Sequence, residues 1–274
     1  MTLNCRGTLI DLSSPKIMGI LNITPDSFYD GGKYQNETSI LKQVEKMMKY
    51  GATFIDVGAY SSRPGAKNIS ESEELNRILP IVDLLLRNFP EIFLSIDTFR
   101  SNVAKQCVNS GAALINDISA GKLDNMMMPT IGKLGVPYIM MHMKGNPQTM
   151  QSQMQYQDLI KEITYYFSER IVEAQKHQIK DIIIDPGFGF SKTIEQNYEL
   201  LKNLELLNLL EKSMLVGISR KSMIYKLLEK TPEEALNGTT SLNTIALLKG
   251  ARILRVHDVK EAQECITLTN QLLK

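Results

Sequence analysis

At 274 residues, with 43% hydrophobic and 22% charged side chains, the chain is long enough for two average domains or one large barrel and lacks the signature of a disordered segment. A formal net charge of +1 with no local Lys/Arg cluster removes the electrostatic argument for nucleic acid or an anionic membrane as partner, so small molecules are the expected ligands. No apolar run reaches the roughly 20 residues of a membrane span, and a cytoplasmic protein is expected. Cys5, Cys107 and Cys265 lie far apart in no C-x-x-C or His-rich context and read as reduced thiols.

Residues 1–11 mix polar and charged side chains without a long apolar run. Short apolar runs with β-branched residues then recur at 17–21, 53–57, 92–96, 112–115, 137–141, 181–184, 214–218 and 252–256. Each is followed by polar residues and a longer segment of helical period, the pattern of buried parallel strands alternating with helices. The segment 101–111 reads as a helix capped by Ser101 and ended by Gly111, with Val103, Ala104, Cys107 and Val108 as its buried stripe. Cys107 is therefore expected in the core. The longest interval between strands, about 144–180, holds the Gly145-Asn146-Pro147 turn signal and a helix near 158–177, and it needs no inserted domain. Tyr198, Leu201, Leu204 and Leu207 repeat at helical spacing, and Thr231-Pro232 reads as a helix opening. Eight such units, right-handed crossovers and no linker predict one (β/α)8 TIM barrel over residues 1–274, with its site at the carboxyl ends of the strands.

Most predicted strands end in a residue that packing would not select: Asn22, Asp56, Asp97, Asn116, His142, Asp185, Ser219 and the pair Arg255 and His257. A single Asp or Asn at a strand end is more often a cap or turn former, and that reading is kept for Asp117 and Asp258. His142 is equally well a hydrogen-bonded core histidine. As a set on one rim, acids, amides and bases suit a hydrogen-bonding heterocycle beside an anion. Arg255 and His257, two residues apart, project to the same side as a cationic wall. The glycine-rich run Asp185-Pro186-Gly187-Phe188-Gly189-Phe190 would let backbone and the Phe190 ring approach a flat ligand. Ser219-Arg220-Lys221-Ser222 precedes a helix whose first amides, with Lys221 and Ser222, would suit a carboxylate or phosphate. No zinc-type cluster is present, whereas magnesium held mainly by substrate phosphate is permitted.

These residues fall in blocks that resemble the dihydropteroate synthase family over residues 17–259. The blocks are Gly19-Ile20-Leu21-Asn22-Ile23-Thr24-Pro25-Asp26-Ser27-Phe28, Ile55-Asp56-Val57-Gly58 leading to Ser62-Arg63-Pro64-Gly65, Ile96-Asp97-Thr98, Ile115-Asn116-Asp117-Ile118, Met141-His142-Met143, the Asp185 to Phe190 run, Ser219-Arg220-Lys221-Ser222 and Arg255-Val256-His257-Asp258. The resemblance implies a transferase of folate biosynthesis, commonly a homodimer and a sulfonamide target, that condenses a dihydropterin diphosphate with 4-aminobenzoate. It further implies that Asn22 ligates Mg²⁺, that Asp97, Asn116, Asp185 and Lys221 hydrogen-bond the pterin, and that Met140 and Phe190 are apolar neighbours of the ligands. Ser62, Arg63, Arg255 and His257 would hold the diphosphate, and Phe28, Pro64, Lys221 and Ser222 would border the aminobenzoate. Lys221, Arg255 and His257 carry the catalytic expectation. An aromatic amine is already nucleophilic, so no Ser/His/Asp or Cys/His nucleophile is needed.

One departure is Gly58-Ala59-Tyr60-Ser61, where family members usually carry a glutamate; Ser62 also stands where Thr is frequent. Tyr60 is expected to alter the second loop without abolishing activity. It is also the one feature that supports an alternative reading, a catalytically impaired pterin-binding paralogue. A corrinoid-linked methyltransferase acting on methyltetrahydrofolate is the other alternative, but it would not need Arg255, His257 and the Phe28 loop.

Overall fold

The computed structural model describes residues 1–23, 33–61 and 68–272. Two strands that the sequence does not predict come first, β1 (Thr2–Cys5) and β2 (Thr8–Asp11), paired antiparallel with Cys5 opposite Thr8. Arg6 and Gly7 make the two-residue turn with φ of 54° and 82°, the left-handed values that a tight type I′ hairpin requires. Alternation along β1 buries Leu3 and Cys5. With Leu12 they pack against Met18, Phe54, Leu114, Ile139, Ile183, Leu215 and Ile253, which cluster near the amino ends of the barrel strands. The hairpin thus closes the end of the barrel opposite the site. Four-residue strands with half or more of their side chains exposed carry too few apolar positions to reveal a period, and for that reason the hairpin is silent in the sequence.

The barrel itself is β3 (Lys16–Asn22), β4 (Phe54–Gly58), β5 (Phe93–Asp97), β6 (Leu114–Asp117), β7 (Tyr138–Met141), β8 (Ile182–Asp185), β9 (Ser213–Val216) and β10 (Ile253–Val256). All neighbours are parallel, and β10 pairs with β3 to close the ring. Around it lie α1 (Lys33–Lys49), α2 (Glu71–Asn88), α3 (Ser101–Asn109), α4 (Met127–Leu134), α5 (Leu159–Lys176), α6 (Ile194–Lys202), α7 (Ser222–Tyr225), α8 (Leu236–Leu248) and α9 (Val259–Leu272). Residues such as Ile17, Leu21, Ile55, Val57, Leu94 and Ile96 fill the shell between strands and helices. Their alternates face the barrel interior, where an apolar layer gives way to a polar one toward the carboxyl ends: Phe54 then Asp56, Leu114 then Asn116, Ile183 then Asp185, Ile253 then Arg255.

Helix limits show which local signals hold. Asp158 caps α5 through its carboxylate, which accepts from the Lys161 amide at 3.0 Å, as the predicted helix near 158–177 requires. α3 covers the predicted segment, but Ser101 does not cap it; Asp124, remote in sequence, accepts from the Ser101 amide at 2.7 Å. Thr231-Pro232 opens a turn closed by the Glu234 carboxylate, and the helix starts only at Leu236. Cys5 and Cys107 are buried, and burial pushes both thiols up to about 12, so they behave as inert core residues. Among the described residues no helix is long and apolar enough to cross a membrane.

Candidate active site

The inward-facing ends of β4, β5, β6 and β10 meet around one guanidinium. Arg255 Nε donates to Asp56 Oδ2 at 2.6 Å, and its Nη2 donates to Asp97 Oδ2 at 2.8 Å. Asn116 Nδ2 donates to the same Asp56 oxygen at 3.0 Å. Asp56 Oδ1 is buried and has no hydrogen-bond partner among the described residues. One guanidinium divided between two carboxylates does not fully offset their desolvation. Burial therefore pushes Asp97 up to about 7, with Arg255 opposing the shift and Asp56 adding to it. Burial works against the charge on Arg255, yet Asp56 and Asp97 outweigh it and hold the group protonated.

Arg255 and His257 do leave the same strand, but the structure separates their circumstances. Arg255 turns into the barrel and commits two of its donors to Asp56 and Asp97. His257 stands exposed on the rim with Nδ1 3.0 Å from Ser219 Oγ. Asp56, counted in the sequence only as a polar strand end, is the acceptor that joins Arg255 to Asn116. The only advance signal for that role was a charged residue set between the apolar Ile55 and Val57.

On the opposite side of the mouth, burial pushes the Asp185 carboxyl up while Lys221 pulls it back down. Asp185 Oδ1 accepts from the Gly187 amide at 2.8 Å, which starts the turn of the following loop. Gly187 has a φ of +72°, and a Cβ there would lie 2.1 Å from the His142 carbonyl oxygen, so only glycine fits. Lys221 Nζ donates to the Phe188 carbonyl and lies 4.9 Å from the Phe190 ring centre. Burial lowers Lys221 to about 8, and the Asp185 carboxylate resists that shift. Ser222, half-buried, begins α7, a helix of only four residues.

The apolar border differs from expectation at one position. Met140 is wholly buried in the shell between strands and helices, facing away from the barrel interior. Strand alternation gives the inward place to Met141, which packs with Ile118, Met143, Met150, Phe99 and Phe190. Phe190 keeps its expected place at the mouth. His142 is a core histidine: its Nδ1 lies 3.0 Å from Lys192 Nζ, its ring meets Tyr166 edge-on at 4.8 Å, and burial depresses its pKa. Asp117 accepts from the Ser119 and Gly121 amides, each at 2.7 Å, the turn-forming role expected of it, whereas Asp258 pairs with Arg220 at 2.6 Å and so serves as an ion-pair partner. Asn22 is half-buried at the last residue of β3, beside Gly58 of β4. Phe28, Ser62, Arg63 and Pro64 lie outside the described residues.

Tyr60 is held and not merely present. Its hydroxyl accepts from Gln148 Nε2 at 2.9 Å, and its ring meets Phe99 edge-on at 5.1 Å. The Arg100 guanidinium lies 5.5 Å from the ring centre and is itself paired with the buried Glu74. These contacts tie the loop after β4 to the loops after β5 and β7.

Residues 18–257 match the family model described as pterin binding enzyme. The chain is 42% identical over 275 residues to the dihydropteroate synthase of Escherichia coli strain K12, covering 100% of this chain and 97% of that one. It is 44% identical over 253 residues to the dihydropteroate synthase of Synechocystis sp., covering 91% and 87%. Among solved structures, the Yersinia pestis dihydropteroate synthase with a sulfonamide drug has a TM-score of 0.93 at 41% identity, with 100% of this chain and 99% of that one covered. The Xanthomonas albilineans dihydropteroate synthase with 4-aminobenzoic acid has a TM-score of 0.92 at 34% identity, covering 99% and 98%. Likeness over the whole chain, in sequence and in the closed barrel alike, makes this chain a member of the pterin-binding enzyme family, among its dihydropteroate synthases.

Proposed function

We propose that the chain joins the methylene carbon of a 7,8-dihydropterin diphosphate to the amino nitrogen of 4-aminobenzoate, releasing diphosphate and 7,8-dihydropteroate. The observation that carries this reading is the set of Asp97, Asn116 and Asp185 at the ends of β5, β6 and β8, with the unmet acceptor of Asp56 beside Arg255. Pterin presents amino and ring N–H donors next to acceptors on one edge, the complement of carboxylates and a carboxamide. Asp97, Asn116 and Asp185 would bind that edge, Lys221 would bind the ring's acceptor side, and Phe190 with Met141 would line its faces.

Arg255 has five N–H donors and spends two on carboxylates, which leaves the others for the diphosphate. As the C–O bond breaks, Arg255 and His257, joined by Ser62 and Arg63, would stabilise charge growing on the leaving group. Phe28, Pro64 and Ser222 would border the aminobenzoate, whose nitrogen attacks directly and then sheds a proton to solvent. Asn22 offers a hard amide oxygen that suits one position on Mg²⁺. The remaining ligands would be diphosphate oxygens and water, since among the described residues no group of three His, Cys, Asp or Glu is placed to hold a metal. The ion when bound neutralises leaving-group charge. α8 and α9 pack on each other and expose Ile245, Leu248, Leu268 and Leu272. This apolar surface supports a homodimer, and sedimentation equilibrium giving the mass of one chain would remove that reading.

The test of function is pyrophosphate release from the purified protein with both substrates and Mg²⁺. Equal amounts of pyrophosphate and dihydropteroate are expected, with release stopping when aminobenzoate is withheld. Absence of product, or release indifferent to aminobenzoate, would refute the reading.

Tyr60 predicts a milder effect. Tyr60→Glu removes the contacts to Phe99 and Gln148 and sets a carboxylate near Arg100, which Glu74 already neutralises. Steady-state kinetics should show an apparent aminobenzoate affinity shifted by less than about tenfold and a kcat within about tenfold, less than a lost transition-state contact costs. Wild-type protein that makes no product and gains full turnover from Tyr60→Glu would instead identify an impaired paralogue.

A further inference from the structure

The loop that follows Asp185 is held from two sides. From the mouth, Lys221 takes the Phe188 carbonyl. From the interior, a second lysine that the proposed reaction does not use, Lys192, is almost wholly buried. Its Nζ lies 3.0 Å from the Gly187 carbonyl, 3.1 Å from the Phe190 carbonyl and 3.0 Å from His142 Nδ1. Three acceptors around one ammonium match its three donors, so the group is fully satisfied without a ligand. Burying a cation is nonetheless costly, and an apolar side chain of similar volume commonly serves stability as well or better. A lysine retained here is therefore explained better by geometry than by stability.

The backbone it gathers is one that would not hold its shape unaided. Within five residues Gly187, Gly189 and Ser191 all have positive φ, at 72°, 80° and 47°. The value at Ser191 is unusual for a residue with a Cβ. Ser191 is itself tied to the loop after β7, where its Oγ accepts from the Lys144 amide at 2.7 Å. His142 belongs to that same loop, so Lys192 binds the loop after β8 to its neighbour at the level of Asp185. Asp185 is also the negative charge that most supports the Lys192 ammonium, which burial lowers to about 7, and Lys192 in turn favours ionised Asp185.

We infer that Lys192 is a positioning residue for the pterin: by gathering the Gly187 and Phe190 carbonyls and His142, it sets the Asp185 carboxylate and the Phe190 ring at the distance and angle at which they receive the heterocycle. It touches no substrate. The inference rests on the proposed pterin site, and the two are separable by experiment. Calorimetry measures binding of 7,8-dihydropterin diphosphate and of inorganic pyrophosphate, each with Mg²⁺, to wild type and to Lys192→Met, which keeps the length and loses the donors. Wild-type protein that does not bind the pterin diphosphate would sink the site reading itself.

If Lys192 positions the loop, Lys192→Met binds the pterin diphosphate about tenfold or more weakly, about 1.4 kcal/mol per tenfold. Pyrophosphate, which has no ring for the loop to receive, keeps its affinity within about threefold, on the order of 0.7 kcal/mol. Unchanged affinity for both ligands, or an equal loss for both, overturns the inference, because a merely structural lysine has no reason to discriminate between them. Should Lys192→Met not fold, His142→Leu removes a single acceptor from among aromatic neighbours and should weaken only the pterin diphosphate, by about threefold. No such selectivity in that variant overturns the inference equally.

Discussion

Arg255→Met should abolish nearly all turnover and remove about 3–5 kcal/mol of stability at neutral pH, the usual consequence of leaving a buried charge without its partner. Asp56 is fully buried and Asp97 about four-fifths buried, and both carboxylates depend on this guanidinium. The loss should depend on pH in a definite direction. Asp97 in the folded protein is already raised from 3.8 to about 7. A carboxyl raised in the folded state contributes stability that is fully present below its unfolded pKa and is lost as pH rises through the folded one. Removing the guanidinium that opposes the shift raises the folded pKa further and deepens that loss. Urea denaturation should therefore find Arg255→Met closest to wild type near pH 5 and furthest from it near pH 8. Activity should fall by about 10²–10³-fold or more in kcat/KM, because a donor to the leaving diphosphate is lost together with the alignment of Asp97. A variant as stable as wild type at pH 8 would show that the Asp56–Arg255–Asp97 cluster is electrostatically idle.

Lys221→Ala should separate activity from stability. Its ammonium touches the Phe188 carbonyl and the Phe190 ring, and burial already lowers its pKa to about 8, so the folded protein meets a desolvation cost by keeping it charged. Truncation relieves that cost while losing one hydrogen bond, and these roughly cancel to within about 1 kcal/mol. Catalysis has no such compensation. A cation between Asp185 and the ring site would be missing from both substrate binding and the transition state, and kcat/KM should fall by about 10²-fold or more. Turnover within about twofold of wild type would leave Lys221 only a structural tie to the Phe188 carbonyl, since no direct ligand contact is lost that cheaply.

Much of this architecture was legible because buried parallel strands are nearly continuous apolar runs, and eight of them stand out between helical segments. Their polar ends were legible as a set for the same reason: Asp97, Asn116 and Asp185 interrupt runs that are otherwise mostly apolar. The Asp56–Arg255–Asp97 hub was not, since its members lie 199 and 158 residues apart and meet only when β10 closes on β3. The exchange of Met140 for Met141 shows the limit at finer scale. Two adjacent methionines are equivalent by composition, and the strand's period of two alone sends one inward and the other into the helix shell. The cap of α3 illustrates the limit again, since Ser101 is a good local candidate and the donor is satisfied by Asp124 from another loop.

The amino-acid sequence by itself determined the alternation of strand and helix, the burial of Cys107 in the stripe of its helix and the line of polar residues at the strand ends, because each depends on side-chain chemistry repeated over a few neighbouring positions. The tertiary structure alone decided which of those polar residues share a charge, which methionine faces the barrel, that Lys192 is buried under the Asp185 loop and that the first eleven residues plug the far end. Each of these depends on register, closure and desolvation. Those are properties of groups brought within a few ångströms from opposite ends of the chain, and no local pattern encodes them.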